Sequence, residues 1–291
     1  MGAELDALKE IEGRPVLERV RQKKVASADR AGWARRLLHP RLMALVAIIA
    51  IWWICSVVTS ALIGLTSVLP DPYTVFKAGI TEIIPDPDFL GHLRDTLLRI
   101  AVGFVITMVI GMAIGIVMGI RPYWESFFSD FVVIGLTIPS LAWAVIGVLW
   151  FGIKTLTPVF ATFMITFPFV TINIWEGMND VDKDLVDMGR AFGVRRKTII
   201  REIYIPSLMP FFFASVRFGF AVAWKIVILA EAFGSSNGIG YMILQSYGLF
   251  NMRHVLAWVV IFTILMLILE YGVIRRIERR VLSWRAQAVL Q

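Results

Sequence analysis

The sequence predicts an all-α membrane protein with six transmembrane helices, and three observations predict it. Of its 291 residues 58% are hydrophobic and mean hydropathy is +0.74, whereas soluble domains run at about 45–50% apolar. Several uninterrupted apolar runs reach the roughly 20 residues that carry a helix across a bilayer core. Lys and Arg, which give a net charge of +7, gather in alternate segments between those runs. That arrangement is a topology signal and excludes nucleic acid as the partner.

The chain divides into a tail over 1–41, a transmembrane domain over 42–282 and a second tail over 283–291. Within the first tail, Leu5–Ile11 starts a helix that Gly13, Arg14 and Pro15 break. The stretch "ADRAGWARRLLHPRL" sets Trp33, Leu37 and Leu38 beside Arg35 and Arg36. It suits either an interfacial helix on the membrane surface or a solvated tail. No cleavable signal peptide is expected. The first span, Leu42–Leu62, is uncharged and holds the single cysteine, Cys55, which reads as a small buried hydrophobe. The following segment, with Pro70, Pro72, Pro85 and Pro87, reads as a connector.

The second span is Ile100–Ile120, uncharged, with Gly111, Gly115 and Gly119 on one face, a spacing that lets helices pack closely. A third runs Phe131–Ile153 with Pro139 inside it, and a fourth Thr155–Trp175 with Pro158 and Pro168. The fifth, Phe211–Ala230, contains Arg217 and Lys225; the sixth, Val255–Ile274, has Glu270 near its end. Between these two, "GSSNGIG" (234–240) reads as a turn or re-entrant connection. It lacks the lysine of a phosphate-binding loop, and no Gly-x-x-x-x-Gly-Lys-Ser/Thr run occurs anywhere, so nucleotide chemistry has to come from a partner.

Six spans place both termini on one side. The tail before Leu42, the 176–210 loop, the segment after the sixth span and Arg121 together hold 22 of the 29 basic residues. By the positive-inside rule this side is the cytoplasm.

The 176–210 loop is more ordered than a connector needs. Asp180, Asp184 and Asp187 share one helical face, along which Lys183 and Arg190 can pair. Gly193 stops that helix. The basic run "VRRKTIIREI" then forms a second helix that ends at Pro206. A helix, a glycine turn and a helix, charged and outside the bilayer, form a docking element.

These residues resemble the cytoplasmic loop of ABC-type importer permeases. Asp187 stands where that family has Glu, Met188 and Gly189 replace two alanines, Gly193 is the family glycine, and Ile203, Ile205 and Pro206 match its apolar-x-apolar-Pro close. "TIPSLAWAVIGVLWFG", "VRFGFAVAWKIVILAEAFG" and "NGIGYMI" are similar to the nitrate, sulfonate and taurine branch. The resemblance implies a type I ABC importer permease fold in a bacterial inner membrane. It also implies a homodimer, two ATPase subunits that carry the ATP and Mg, and an extracytoplasmic solute-binding protein. No cofactor is implied for this chain. The coupling helix falls on Asp187, Gly189, Arg190, Ala191, Phe192, Gly193, Arg195 and Arg196, closed by Ile203 and Pro206.

Charges inside a span usually face protein or water. Arg217 reads as a snorkelling residue or part of a pathway. Lys225, deeper in, reads as lining a cavity that favours an anion, or as half of an ion pair with Glu231 or Glu270. Trp143 and Trp224 border that pathway, while Trp52, Trp150 and Trp258 read as interface and packing residues. His39, His92 and His254 have no ligand spacing, so no metal is expected. The competing reading is a self-contained secondary carrier or channel for a small anion, which would show inverted repeats and intramembrane acidic relays. A non-transporting membrane anchor is a third, with little use for Lys225.

The charge count sets the orientation test. A cysteine introduced at Lys197 is expected to react with impermeant thiol reagents only from the cytoplasmic side, and one at Asp86 only from outside. The opposite labelling overturns the assignment.

Overall fold

The computed structural model describes residues 40–63, 68–274 and 276. The expected interfacial helix and the C-terminal tail lie outside the described residues. Among those described, all regular structure is helical, in eleven α-helices and three π-helical turns. Residues up to Pro72 and residues from Tyr73 onward form two compact units.

In the first unit, α1 (Pro40–Ile63) coincides with the first expected span. Two of its polar groups are answered by the chain that follows: Trp52 Nε1 donates to the Pro70 carbonyl at 3.2 Å and Ser56 Oγ to that of Leu69 at 2.8 Å. Cys55 is exposed, which corrects the expectation of burial. Within this unit α1 has no helix to pack against, so nearly all of its side chains face outward.

The second unit opens with α2 (Pro72–Ala78), which runs into a π turn at Gly79–Ile83. The Pro-rich stretch is therefore folded and more than a connector: Val75, Ala78 and Ile83 are buried. Next, α3 (Phe89–Ile120) begins well before the expected Ile100, so Arg94, Asp95 and Arg99 stand inside a helix of 32 residues.

The close approach of α3 to α6 (Leu156–Asn179) fixes the topology. A methyl placed on Gly103, Gly111, Gly115 or Gly119 of α3 would meet, in that order, Thr162, Val170, the Thr171 carbonyl and Met178, at 3.0, 3.0, 2.7 and 2.3 Å. The partners advance together, so the two helices are parallel, and the glycine face expected from the sequence is the packing face. Along the groove between α3 and α6, Gly177, Gly219 and Gly234 meet Phe211, Val170 and Thr157 across α6 and α9 (Ile205–Gly234), and Gly219 also meets Phe104 of α3. The order of the pairs is reversed, so α9 is antiparallel to α6.

Parallel neighbours require the chain to return to the opposite end between them. The return is made by α4 (Pro122–Thr137) and α5 (Ser140–Phe151), bent by 98°. Ile138 is extended at φ −69° and ψ 125°, as the residue before a proline tends to be. The third span is thus two half-helices rather than one straight helix. With the five long apolar helices this broken pair gives six crossings.

The remaining helices are α7 (Lys183–Ala191), α8 (Arg196–Ile199), α10 (Ile239–Gly248) and α11 (Met252–Leu269). The second basic helix does not end at Pro206. It continues through a π turn at Ile200–Tyr204 into α9, making one helical run of 39 residues, with Pro206 in the first turn of α9. A wide π turn just ahead of the proline leaves room for its ring and its missing N–H.

Candidate functional site

The loop between α6 and α9 is built by ordinary helix signals. Asp182 caps α7, its carboxylate accepting from the backbone N–H groups of Asp184 and Leu185. Asp180 falls outside α7, at the end of α6, so the expected row of three aspartates is cut to Asp184 and Asp187. Gly193, at φ +69°, takes the left-handed conformation that lets the chain leave α7. Arg195 then caps α8 in extended conformation.

Two faces of α7 are apolar. Val186 packs inward with Val181 and Ile199, backed by Ile203 and Tyr204, and a methyl on Gly189 would sit 3.4 Å from Ile199. Facing out, Leu185, Met188 and Phe192 are 45%, 53% and 82% exposed, at positions three and four apart that share one side of a helix. Arg190 and Asp187 form an exposed pair at 3.1 Å. Ala191, Arg195 and Arg196 are exposed beside them. The outcome is an outward apolar strip with charges along its edge.

A second polar site lies at the opposite end of α9. Arg99 and Glu231 are 2% and 0% exposed and meet at 2.8 Å. The Glu231 carboxylate also accepts from Thr96 Oγ1 at 2.9 Å and from the Gly240 N–H at 3.0 Å. Arg99 donates further to the Asn237 carbonyl at 2.9 Å, to Thr155 Oγ1 at 3.3 Å and to Asn237 Oδ1. Asn237 in turn donates to Asp95, the Gly238 N–H to His92 Nδ1, and the Ile239 N–H to Thr96 Oγ1. One face of α3 thereby holds the whole "GSSNGIG" turn and the start of α10.

Sequence reasoning missed this cluster because it started the second span at Ile100. The signal was present in "RDTLLRI", where Asp95 or Thr96 and Arg99 share a helical face running into the apolar span. The sequence offers Glu231 as a partner for Lys225, and in the structure Arg99 takes that place.

The four residues assigned to a pathway are not gathered into one site. Arg217 and Lys225 are both exposed on α9, and Lys225 Nζ lies 5.6 Å from the centroid of the Trp224 ring. Trp224 is half-buried, 5.5 Å from Phe262 of α11. Trp143 is 7% exposed and packs edge-on to Phe160. A further polar contact joins the π turn after α2 to α11: His254 Nε2 is 2.6 Å from Glu82 Oε2, with Arg253 at 3.8 Å. That imidazole hydrogen bond holds the Glu82 carboxyl below its ordinary value, against a smaller opposing effect of burial.

Residues 107–283 match the family described as "Binding-protein-dependent transport system inner membrane component". The chain is 30% identical over 268 residues to the putative aliphatic sulfonates transport permease protein SsuC of Bacillus subtilis (strain 168), covering 92% of this chain and 93% of that one. It is 26% identical over 248 residues to the taurine transport system permease protein TauC of Escherichia coli (strain K12), covering 84% and 88%. Among solved structures, the MetNI methionine ABC transporter in an inward-facing conformation matches 66% of this chain and 95% of its own, with a TM-score of 0.58 at 19% identity. That likeness is one of fold.

The buried pair sets a stability prediction. Glu231→Gln leaves Arg99 without its counter-charge and is expected to cost about 3–5 kcal/mol, read as a lower Tm of the detergent-solubilised chain. Arg99→Met with Glu231→Leu is expected to cost less than the two single changes added. An unchanged Tm for Glu231→Gln refutes the assignment.

Proposed function

The chain belongs to the family of binding-protein-dependent transport inner membrane components, in the branch that holds sulfonate and taurine permeases, and from that premise we propose what it carries and how it is driven. It is the membrane-spanning subunit of an importer in a bacterial inner membrane, with both termini in the cytoplasm. It moves a small anionic or zwitterionic, sulfonate-like solute inward. Two copies assemble with two ATPase subunits, which bind the ATP and Mg, and with an extracytoplasmic solute-binding protein.

The observation that carries this reading is the outward strip of α7. Leu185, Met188 and Phe192 stand exposed on a helix capped at both ends and backed by Val181, Val186 and Ile199. A short rigid helix with an apolar strip suits insertion into a cleft of the ATPase, with Asp187, Arg190, Arg195 and Arg196 at the rim. Gly193 sets the turn, and Ile203 and Pro206 join the segment to α9.

Arg217 and Lys225 support the anionic substrate. Both are uncovered in the single chain, and a cation within a span has to be paired or wet. At 1.5 Å per residue Lys225 lies about 14 Å from the end of α9 at Gly234, too deep for simple escape. In the assembled permease this face borders the pathway, and Trp224 and Trp143 stiffen the helices around it. Attraction between Lys225 and an anion at about 4 Å is roughly 4 kcal/mol at an effective dielectric of 20, before desolvation.

Two experiments test the two halves. Gly193→Pro is expected to leave membrane insertion intact while abolishing co-purification with the ATPase and its stimulated turnover. Phe192→Ala is expected to weaken that association by about 2 kcal/mol, roughly thirtyfold in Kd. Unchanged association in both variants removes the docking assignment.

For the pathway, Lys225→Met is expected to assemble normally and keep basal ATP hydrolysis while lowering transport of the cognate anion, with Lys225→Arg less harmful. Normal transport by Lys225→Met rules out the cavity role, and failed assembly makes Lys225 a structural contact.

A further inference from the structure

We infer that the ends of α3, α6 and α9 next to the docking segment hold a binding site for one anionic phospholipid. A cavity of about 610 Å³ lies there, within the range of roughly 300–1,000 Å³ seen for small-molecule sites. Ile116, Met178, Ile199, Ile205 and Leu208 supply its apolar lining, and its polar residues are Arg190, Arg196 and Tyr204. No carboxylate lines it. Arg190 is shared with Asp187 at 3.1 Å, while Arg196 makes no ion pair among the described residues. Two guanidinium groups above an apolar floor match a phosphodiester head with an acyl chain below it, because guanidinium donates two parallel hydrogen bonds to phosphate oxygens.

The position favours a lipid over a soluble anion. The cavity sits where the membrane helices end, at Ile120 of α3, Met178 of α6 and Ile205 of α9. Basic pockets between helices at the cytoplasmic surface are typical sites for acidic headgroups. Its wall also carries exposed apolar side chains: Ile120, Ile200 and Ile205 are 59%, 44% and 50% exposed, a surface that an acyl chain would cover. The π turn Ile200–Tyr204 helps to shape it, since Ile200 and Tyr204 both line the space. Turns of this kind recur at functional sites.

A second cavity of about 400 Å³ shares Gly119, Ile120, Met178, Arg190 and Tyr204, and adds Arg121 and Lys183 along with Glu125 and Asp187. Its added charges balance, so the unpaired cation of the larger cavity remains Arg196. Leu185, Met188 and Phe192 line neither cavity. The lipid would thus lie behind α7 while the ATPase takes its front, so one segment reads both the partner and the membrane. The cytoplasmic location rests on the orientation proposed above. The site itself rests on the cavity.

Purified full-length chain, exchanged through mild detergent with phosphatidylglycerol or phosphatidylcholine, is expected in native mass spectrometry to retain one phosphatidylglycerol. With Arg190 already paired to Asp187, the one unpaired cation, Arg196, corresponds to roughly a fivefold preference over phosphatidylcholine. Arg196→Gln is expected to lower retention by about fivefold. Leu208→Trp, which fills the floor, is expected to abolish it, with the thermal unfolding of the lipid-free chain unchanged. Equal retention of the two lipids overturns the proposal, as does full retention by Arg196→Gln, an exposed position whose change leaves the fold intact. Displacement of phosphatidylglycerol by inorganic phosphate at equal concentration would assign the cavity to a soluble anion and overturn it too. None of these measurements involves transport or ATPase docking, so failure here leaves the proposed function standing.

Discussion

The approach of α3 to α6 at glycine distance governs the placement of the other elements in the second unit. Inside a bilayer, apolar side chains gain little by leaving lipid for one another, so helices associate through close van der Waals contact and small residues. Gly111, Gly115 and Gly119 lie against Val170, the Thr171 carbonyl and Met178, where no larger residue fits without a shift. That contact makes α3 and α6 parallel. Parallel order forces a return crossing, and the return is the bent pair α4 and α5. With α6 so fixed, α9 packs antiparallel to it and also against α3, and the α7 segment and the polar cluster fall at opposite ends of α9.

The polar cluster follows from the same constraint seen from the backbone. A turn between two spans has N–H groups that lipid cannot satisfy. Here the Gly238, Ile239 and Gly240 N–H groups are answered by His92, Thr96 and Glu231. Two of those donors lie in the first turn of α10, where helices leave N–H groups unpaired. Gly238, at φ +103° with the Glu231 carboxylate 2.6 Å from where a methyl would stand, admits no side chain. A buried ion pair adds little net stability over a well-packed apolar pair. Its effect is directional: Arg99 reaches Glu231, Asn237 and Thr155 together, which holds the ends of α3, α6, α9 and α10 in one arrangement.

Much of this architecture was legible in the sequence. Apolar length gave the spans because lipid excludes unpaired backbone groups, and the glycine spacing gave the packing face of α3. The helix and glycine turn of the loop were legible because the Asp-rich start of α7 and Gly193 are local signals. Long-range pairing was not. Nothing local says that Arg99 meets Glu231, 132 residues away, and although Pro139 in "IGLTIPSLAWAVIG" marks a break, its size of 98° is set by the packing of the two halves. Pro206 misled for a related reason. A proline near a helix start and a proline past a helix end look alike in sequence, and the π turn that accommodates it is set by tertiary packing.

The run from Arg196 to Gly234 links these features mechanically. At 1.5 Å per residue its 39 residues span about 58 Å, enough to cross the bilayer and project beyond it. At one end Ile199, Ile203 and Tyr204 are packed against Val181 and Val186 of the docking segment. At the other, Glu231 is locked to Arg99. Between them Arg217 and Lys225 stand on the uncovered side. A displacement of α7 has no soft connection through which to dissipate before it reaches α9, apart from the π turn Ile200–Tyr204. The near end is thus held by packing and the far end by the ion pair, with the two cations on the helix between them. On the proposed docking role, the exposed strip of Leu185, Met188 and Phe192 stands where a partner's movement would reach the helix that carries Lys225, with no contact between the two sites.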